Sequence, residues 1–394
     1  MSKHYDFDKI IDRRGTHSVK LDGLAENFGR TDLLPLWVAD MDFEVCPAVT
    51  EALERRLTGH RIYGYTIAPD DYWQAIIDWQ QRRNGFAFTR EEVTYIPGIV
   101  TGFGLALQAL TRPGDVVVIQ EPVYHPFRRL IEGNGRTVAN NALLPLPSSG
   151  SYAMDLEGLE RIFATQKPAM MVLCNPHNPV GITWPADVLR QVASLAARYG
   201  VVVFDDEIHG DLVMPGCHHT AFATVSPEAR QVALTFGAPT KTFNIAGLET
   251  SWCVVKNPEL RSRFFNFLSV NELNSPTFVA TIATQAAYSR GEQWLEECIA
   301  YIAANVDYVV QFCHDRLPGI RAVRPQASYL VWLDCTGLGL SHEQVVSLFE
   351  DRAHLALNEG SMFGAAGACH MRMNCATPRS VLQEAMQRLE QALA

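Results

Sequence analysis

The sequence predicts an α/β protein whose large domain is a mostly parallel sheet sandwiched by helices, with a smaller α+β domain beside it. Three observations predict it. Short apolar runs of strand length alternate with longer stretches of helical period. A polar cluster follows each apolar run. Past about residue 285 the alternation gives way to one long helical stretch and isolated strands.

Residues 1–47 are too short to fold alone and are read as a segment that joins the small domain or covers a cleft. Residues 48–285 form the large domain. Its apolar runs are 116–119 (Val-Val-Val-Ile), 170–174 (Met-Met-Val-Leu-Cys), 201–204, 232–236 and 252–255. Parallel neighbours need crossovers between them, usually helical. The stretch 186–199 is one, opening after Pro185 and stopping at Gly200. Another helix is expected at 103–110. Residues 286–394 form the small domain, with a helix at 294–317 ended by Pro318-Gly319 and a strand at 329–333. A helix at 342–352, a glycine-rich loop at 360–367 and a last helix from Pro378 follow.

Composition sets the outer bounds. Of 394 residues, 47% are hydrophobic, 19% are charged and 27 are glycine, which excludes disorder, collagen and coiled coil. No run approaches the roughly 18 apolar residues of a membrane helix. The charged opening, Met1 to Asp6, lacks a secretory signal, so a cytoplasmic location is expected. A net charge of −10 argues against nucleic acid as main partner. Nine scattered cysteines include no CxxC pair, so free thiols are expected rather than a zinc ribbon.

Ligands of open parallel sheets gather beyond the carboxyl ends of the strands. There the chain places Glu121-Pro-Val-Tyr-His-Pro126, Asn175-Pro-His-Asn-Pro-Val-Gly181, Asp205-Asp-Glu-Ile-His209 and Gly237-Ala-Pro-Thr-Lys-Thr-Phe-Asn244. An aromatic ring, an amide, a carboxylate and a lysine would converge on one rim. Together they describe a site for a planar, electron-poor, phosphorylated aromatic.

Each residue also has a plainer reading. Lys241 alone is a solvated loop lysine; in a desolvated pocket its pKa falls and its amine can form a Schiff base. Of Asp205 and Asp206, alternation sends one into the site and the other away. His209, His218 and His219 lie near this pair, but without HExxH or comparable spacing a metal site is not supported. Pro97-Gly-Ile-Val-Thr-Gly-Phe-Gly104 enters a helix and reads as an anion site or as turn glycines only. Thr101 and Thr240 could add hydroxyl donors. Arg372, in a strand-like apolar run, matches a carboxylate or makes a surface ion pair. Trp37 and Tyr329 are substrate-pocket walls or core aromatics.

These residues resemble the fold-type I pyridoxal-phosphate (PLP) enzymes of the aspartate aminotransferase superfamily, over nearly the whole chain. The spacing that carries the resemblance is Asn178, Asp206, Lys241 and a distant Arg372. Within that superfamily, Leu34-Pro-Leu-Trp-Val-Ala-Asp-Met-Asp-Phe43, Tyr63-Gly-Tyr-Thr66 and Ala238-Pro-Thr-Lys-Thr-Phe-Asn-Ile-Ala-Gly-Leu248 look like the MalY/PatB branch of cystathionine β-lyases and cysteine-S-conjugate β-lyases.

The resemblance implies the fold of the PLP-dependent transferases and a set of roles. Lys241 would carry PLP covalently and act as the catalytic base. Asp206 would pair with the pyridine nitrogen, Asn178 would bond the ring 3′-oxygen, and Tyr124 would stack on the ring. Ile99, Val100, Thr101 and Thr240 would cradle the phosphate, with Tyr65 reaching it from the other subunit of a homodimer. Arg372 would bind the substrate carboxylate, with Ala39, Trp37 and Tyr329 nearby. His209 stands where aminotransferases commonly carry tyrosine, and Thr240 where serine is usual. The implied reaction cleaves the Cβ–S bond of a small amino-acid substrate to a thiol, pyruvate and ammonia. An aminotransferase and a PLP-binding regulatory protein with residual lyase activity are the alternatives.

Overall fold

The protein is described by a computed structural model covering residues 5–394. The first four residues of the charged opening lie outside the described residues. A seven-stranded sheet forms the larger layer, in the order Val93–Ile96, Ser251–Val254, Ala233–Gly237, Val202–Asp206, Met170–Cys174, Val116–Ile119 and Thr137–Asn140. The central strands are buried on both faces, as apolar runs without polar alternation require. Along Met170–Cys174, Met170 and Val172 pack with Phe103, Phe127 and Phe264 from one set of helices. Met171 and Leu173 face the other way, toward Leu189, Val192 and Trp79.

Five neighbouring strands run parallel. Ser251–Val254 departs from the expected parallel series and is antiparallel to both its neighbours. The reason is the connection. Between Gly237 and Ser251 the chain makes only the four-residue helix Pro239–Thr242 and a turn at Ala246–Leu248, too little for a crossover. The strand must turn back, so the connection stays at the carboxyl edge, and Lys241 stays with it. The four-residue strands Val93–Ile96 and Thr137–Asn140 complete the sheet without a distinctive apolar run.

The helix Ala186–Tyr199 has the expected bounds, closed by Gly200 with φ +69°. The helix expected at 103–110 begins earlier, as Ile99–Leu110. Its start moves to the glycine run because Gly98, at φ +88°, supplies a turn that other residues adopt at a cost. In the second layer, Arg321–Val323, Leu330–Asp334, His370–Asn374 and Asn358–Glu359 form an antiparallel sheet. The long helix Glu292–Arg316 and the last helix Arg379–Leu393 accompany it. The helix expected at 342–352 is regular only over His342–Ser347 and ends in a wider turn. Leu34–Pro35 pairs with Leu355–Ala356 as a separate two-stranded sheet, and the Asn374 N–H of the smaller sheet donates to the Leu36 carbonyl, which ties the N-terminal segment to it. No helix among the described residues is long and apolar enough to cross a membrane.

One glycine marks how tightly the reversed strand is packed. A Cβ on Gly237 would stand 2.2 Å from Cζ2 of Trp252, a fully buried indole. Gly237→Ala is expected to destabilise the fold by about 1–3 kcal/mol through overpacking. Urea unfolding followed by tryptophan fluorescence measures it.

Candidate active site

At the carboxyl edge of the large sheet lies a cavity of ≈ 230 Å³. Three strand ends and one helix end supply its walls. Met170–Cys174 delivers Cys174 and, through the following loop, Asn178; Val202–Asp206 delivers Asp206, Ile208 and His209; the return connection brings Thr240 and Lys241. Ile99, Val100 and Thr101 come from the first turn of Ile99–Leu110, Tyr124 from the loop before helix Pro126–Gly133, and Ala39 from the N-terminal segment.

Lys241 is half-buried, and its amine donates to the carbonyl of Ala39. Burial lowers its pKa to about 8, with Arg372 adding to the fall and Asp40 and Asp206 opposing it. The amine is thus much closer to neutral than a surface lysine at physiological pH. Across the cavity, burial raises Asp206 to about 6, and the Ile208 N–H donates to its Oδ1 at 3.1 Å. Asp205 turns away from the cavity and accepts from Thr235 Oγ1 at 2.9 Å. Alternation along the strand separates the two acids.

Arg372 is 3% exposed. Its Nη1 donates to Asn178 Oδ1 at 3.1 Å, and its Nη2 donates to the Trp37 carbonyl at 3.0 Å and Asn358 Oδ1 at 2.6 Å. Its Nε has no partner. Because Asn178 Oδ1 is taken by Arg372, the amide NH2 is the end free to donate toward a ligand. His209 is buried, edge-on to Tyr329, and burial drops its pKa to about 3, so it is a neutral imidazole. At the helix start, Gly102 N–H is the first to find a helical carbonyl. The first-turn N–H groups therefore face the cavity as a ready anion site.

Four expected residues do not line the cavity: Arg372, which reaches it only through its bond to Asn178, and Trp37, Tyr329 and Tyr65, the last expected from a second copy. Trp37 does not wall the cavity: its indole N–H donates to the Lys20 carbonyl and its ring packs against Phe28, leaving only its own carbonyl near the site, on Arg372. Tyr329 is fully buried behind the cavity, where its hydroxyl donates to the Ala39 carbonyl at 2.9 Å. Tyr65 is fully exposed, outside this chain's cavity. No group of three or more His, Cys, Asp or Glu among the described residues is arranged to hold a metal ion.

Sequence reasoning gave no role to several residues that matter. Cys174, Ile208, Ala246 and Glu249 also line the cavity. Beneath Ala39 lies a charge network: Lys20, 1% exposed, holds Asp42 at 2.9 Å and Asp40 at 3.2 Å, and Arg13 holds Asp40 at 2.5 Å and Asp42 at 2.8 Å. Asn374 Nδ2 donates to the carbonyls of Val38 and Asp40, and Asn244 Nδ2 donates to those of Met41 and Phe43. The segment 38–43 is thereby fixed as a strap that holds Ala39 at the cavity wall.

Comparison with known proteins agrees with this arrangement. The family model of aminotransferase class I and II matches residues 31–389. Cystathionine beta-lyase PatB of Bacillus subtilis is 41% identical over 99% of this chain and 100% of its own length. Protein MalY of Escherichia coli is 32% identical, with 99% of both chains covered. The PLP-bound C–S lyase from Staphylococcus hominis superposes with a TM-score of 0.92 at 29% identity, covering 100% of this chain and 99% of its own. With its cavity at the carboxyl edge of a mostly parallel sheet, the chain belongs to the aminotransferase class I and II family.

Proposed function

We propose that this protein is a PLP-dependent C–S β-lyase that cleaves cystathionine or a related cysteine S-conjugate to a thiol, pyruvate and ammonia. The observation that carries the reading is the desolvated Lys241 amine facing Asp206 in a cavity whose third wall is a helix N-terminus. The names of PatB and of the Staphylococcus hominis enzyme support the choice of reaction.

The residues fit the cofactor. Unengaged N–H groups at Ile99–Thr101, with the Thr101 and Thr240 hydroxyls beside them, suit a phosphate. Tyr124 offers a ring face, Asn178 a free amide NH2, and Asp206 a carboxylate oxygen beyond the one that Ile208 engages. Lys241 is the residue to hold the group covalently. When bound, PLP supplies an aldehyde for the substrate amine and a ring that accepts the electrons of a broken Cα–H bond.

The chain's own groups do the rest. Asp206, ionised at neutral pH, holds a proton at the ring nitrogen. Arg372, its two Nη groups fixed by three protein acceptors and its Nε free, binds the substrate α-carboxylate and so orients the Cα–H bond. Lys241, once free, is a positioned base with its pKa near the working pH, and it takes the Cα proton. The neutral His209 adds a polar wall without adding charge. The electron pair left by the Cα–H bond then expels sulfur from Cβ as a thiolate, which takes up a proton and leaves as the thiol. Water converts the remaining three carbons to pyruvate and ammonia.

The family description favours one second reading, an aminotransferase. It differs in needing a keto acid to turn over. The assembly proposed is a homodimer with shared active sites. Tyr65 stands fully exposed among exposed Ile62, Tyr63 and Ile67, an apolar segment suited to reach a second copy's phosphate cradle. Nine free cysteines support a cytoplasmic location.

Wild-type protein incubated with L-cystathionine and no keto acid is expected to release pyruvate. Lys241→Ala should lower that rate by at least about 10²–10⁴-fold and should not retain cofactor after borohydride treatment and peptide mapping. Pyruvate appearing only when a keto acid is added would favour the aminotransferase. Arg372→Leu is expected to cost about 2–5 kcal/mol, roughly thirtyfold to several-thousandfold in kcat/KM, in steady-state kinetics. Sedimentation should give twice the monomer mass, and Tyr65→Phe should weaken cofactor affinity measured by absorbance titration.

A further inference from the structure

Three acids follow one another at the end of the central strand, Asp205, Asp206 and Glu207, and all are buried. Only Asp206 has a place in the proposed chemistry. Asp205 and Glu207 flank it, so strand alternation sends both to the face away from the cavity. There each carboxyl has one oxygen satisfied: Thr235 Oγ1 donates to Asp205 Oδ2 at 2.9 Å, and Phe222 N–H donates to Glu207 Oε1 at 2.8 Å. The other two oxygens, Asp205 Oδ1 and Glu207 Oε2, are buried and receive no donor. Asp205 and Glu207 stand two residues apart on this dry face, and burial raises both carboxyls above their ordinary range.

The surrounding groups bring no charge to either oxygen. His219 Nε2 stands 3.4 Å from Glu207 Oε2 but makes no hydrogen bond to it, and burial lowers its pKa to about 4, so it is a neutral imidazole. Asp211, on the same segment, is engaged by Trp79 Nε1, Thr242 Oγ1 and Asn84. Its nearest cation, Arg83, stands 3.8 Å away and pairs with Glu296. Cys174 and Cys253 are buried thiols whose pKa values burial raises. Lys241 is on the far side, facing Asp206. Two facing carboxylates without a cation cannot both ionise, and a buried acceptor left without a donor costs about 1–3 kcal/mol.

We propose that Asp205 and Glu207 share one proton as an acid–carboxylate pair, and that through it Glu207 is a positioning residue holding Asp206 aimed into the cavity. The shared proton supplies both orphan oxygens at once. It also limits three adjacent buried acids to two charges, which leaves Asp206 free to be the ionised one. The pair itself is independent of the lyase reading; what Asp206 meets in the cavity rests on it.

The pH dependence has a definite sign. Burial, the largest cause for each, raises both Asp205 and Glu207, the latter from 4.5 to about 8, so across that window the native pair keeps a proton that the unfolded chain releases. Stability from this group therefore falls as pH rises from about 4.5 to about 8. In Glu207→Gln the amide oxygen can accept from Phe222 N–H while its NH2 donates permanently to Asp205.

The test uses full-length, cofactor-free protein. Tm of Glu207→Gln minus that of wild type should grow with pH across this window and level off above it. The infrared band of a protonated carboxyl at neutral pH should be present in wild type and lost in both Glu207→Gln and Asp205→Asn. A pH-independent Tm difference, or a band that persists in Glu207→Gln, overturns the pair. In cofactor-loaded protein, Glu207→Ala should weaken PLP binding about tenfold, as an orphaned acceptor predicts, and Glu207→Gln should restore it. Equal weakening in both variants overturns the positioning role. Should Glu207→Ala not fold, Glu207→Gln against wild type carries the test alone.

Discussion

A lysine amine kept out of water yet held in place is the constraint on which the site's architecture depends. Desolvation makes the amine reactive but removes the hydration that would otherwise stabilise it. The Ala39 carbonyl replaces part of that hydration, and Asp40 and Asp206 supply opposing charge from two sides. A carbonyl can do this only if its own segment is immobile. The buried Lys20 and the half-buried Arg13, locked on Asp40 and Asp42, serve that end. So does the reversed strand Ser251–Val254, whose short return connection leaves the lysine no room to leave the sheet edge.

Much of this could be read in the chain before its structure. Runs such as 116–119 and 170–174 are buried on both faces, and their limits show as changes from apolar to polar residues. Helix Ala186–Tyr199 is bracketed by a proline and a glycine. Strand direction was not legible for 251–254, because an apolar run looks the same either way and only the length of its connection decides. The acids at 205 and 206 could be told apart in principle by alternation, though which one faced the cavity needed the register with neighbouring strands.

Side-chain roles were harder to read where a residue acts through its backbone or from a distance. Trp37 and Tyr329 looked like walls because both are aromatic and near the site. One contributes its main-chain carbonyl and the other a hydroxyl from behind. The Arg13–Lys20–Asp40–Asp42 network was invisible because each member alone resembles an ordinary surface charge. Their burial follows from the docking of the N-terminal segment against the smaller sheet, a non-local event. Glu207 escaped attention for a related reason: its partner Asp205 lies two residues away, and the value of the pair appears only once both side chains are seen to share a dry face.

The strap at 38–43 has a mechanical consequence. One of its moorings, Asn374, belongs to the smaller sheet; the other, Asn244, belongs to the loop that carries the lysine. The carbonyl between them is gripped at once by Tyr329 from one body and Lys241 from the other. That single oxygen therefore couples the placement of Tyr329 to the placement of the lysine amine, so displacing one bond partner disturbs the other.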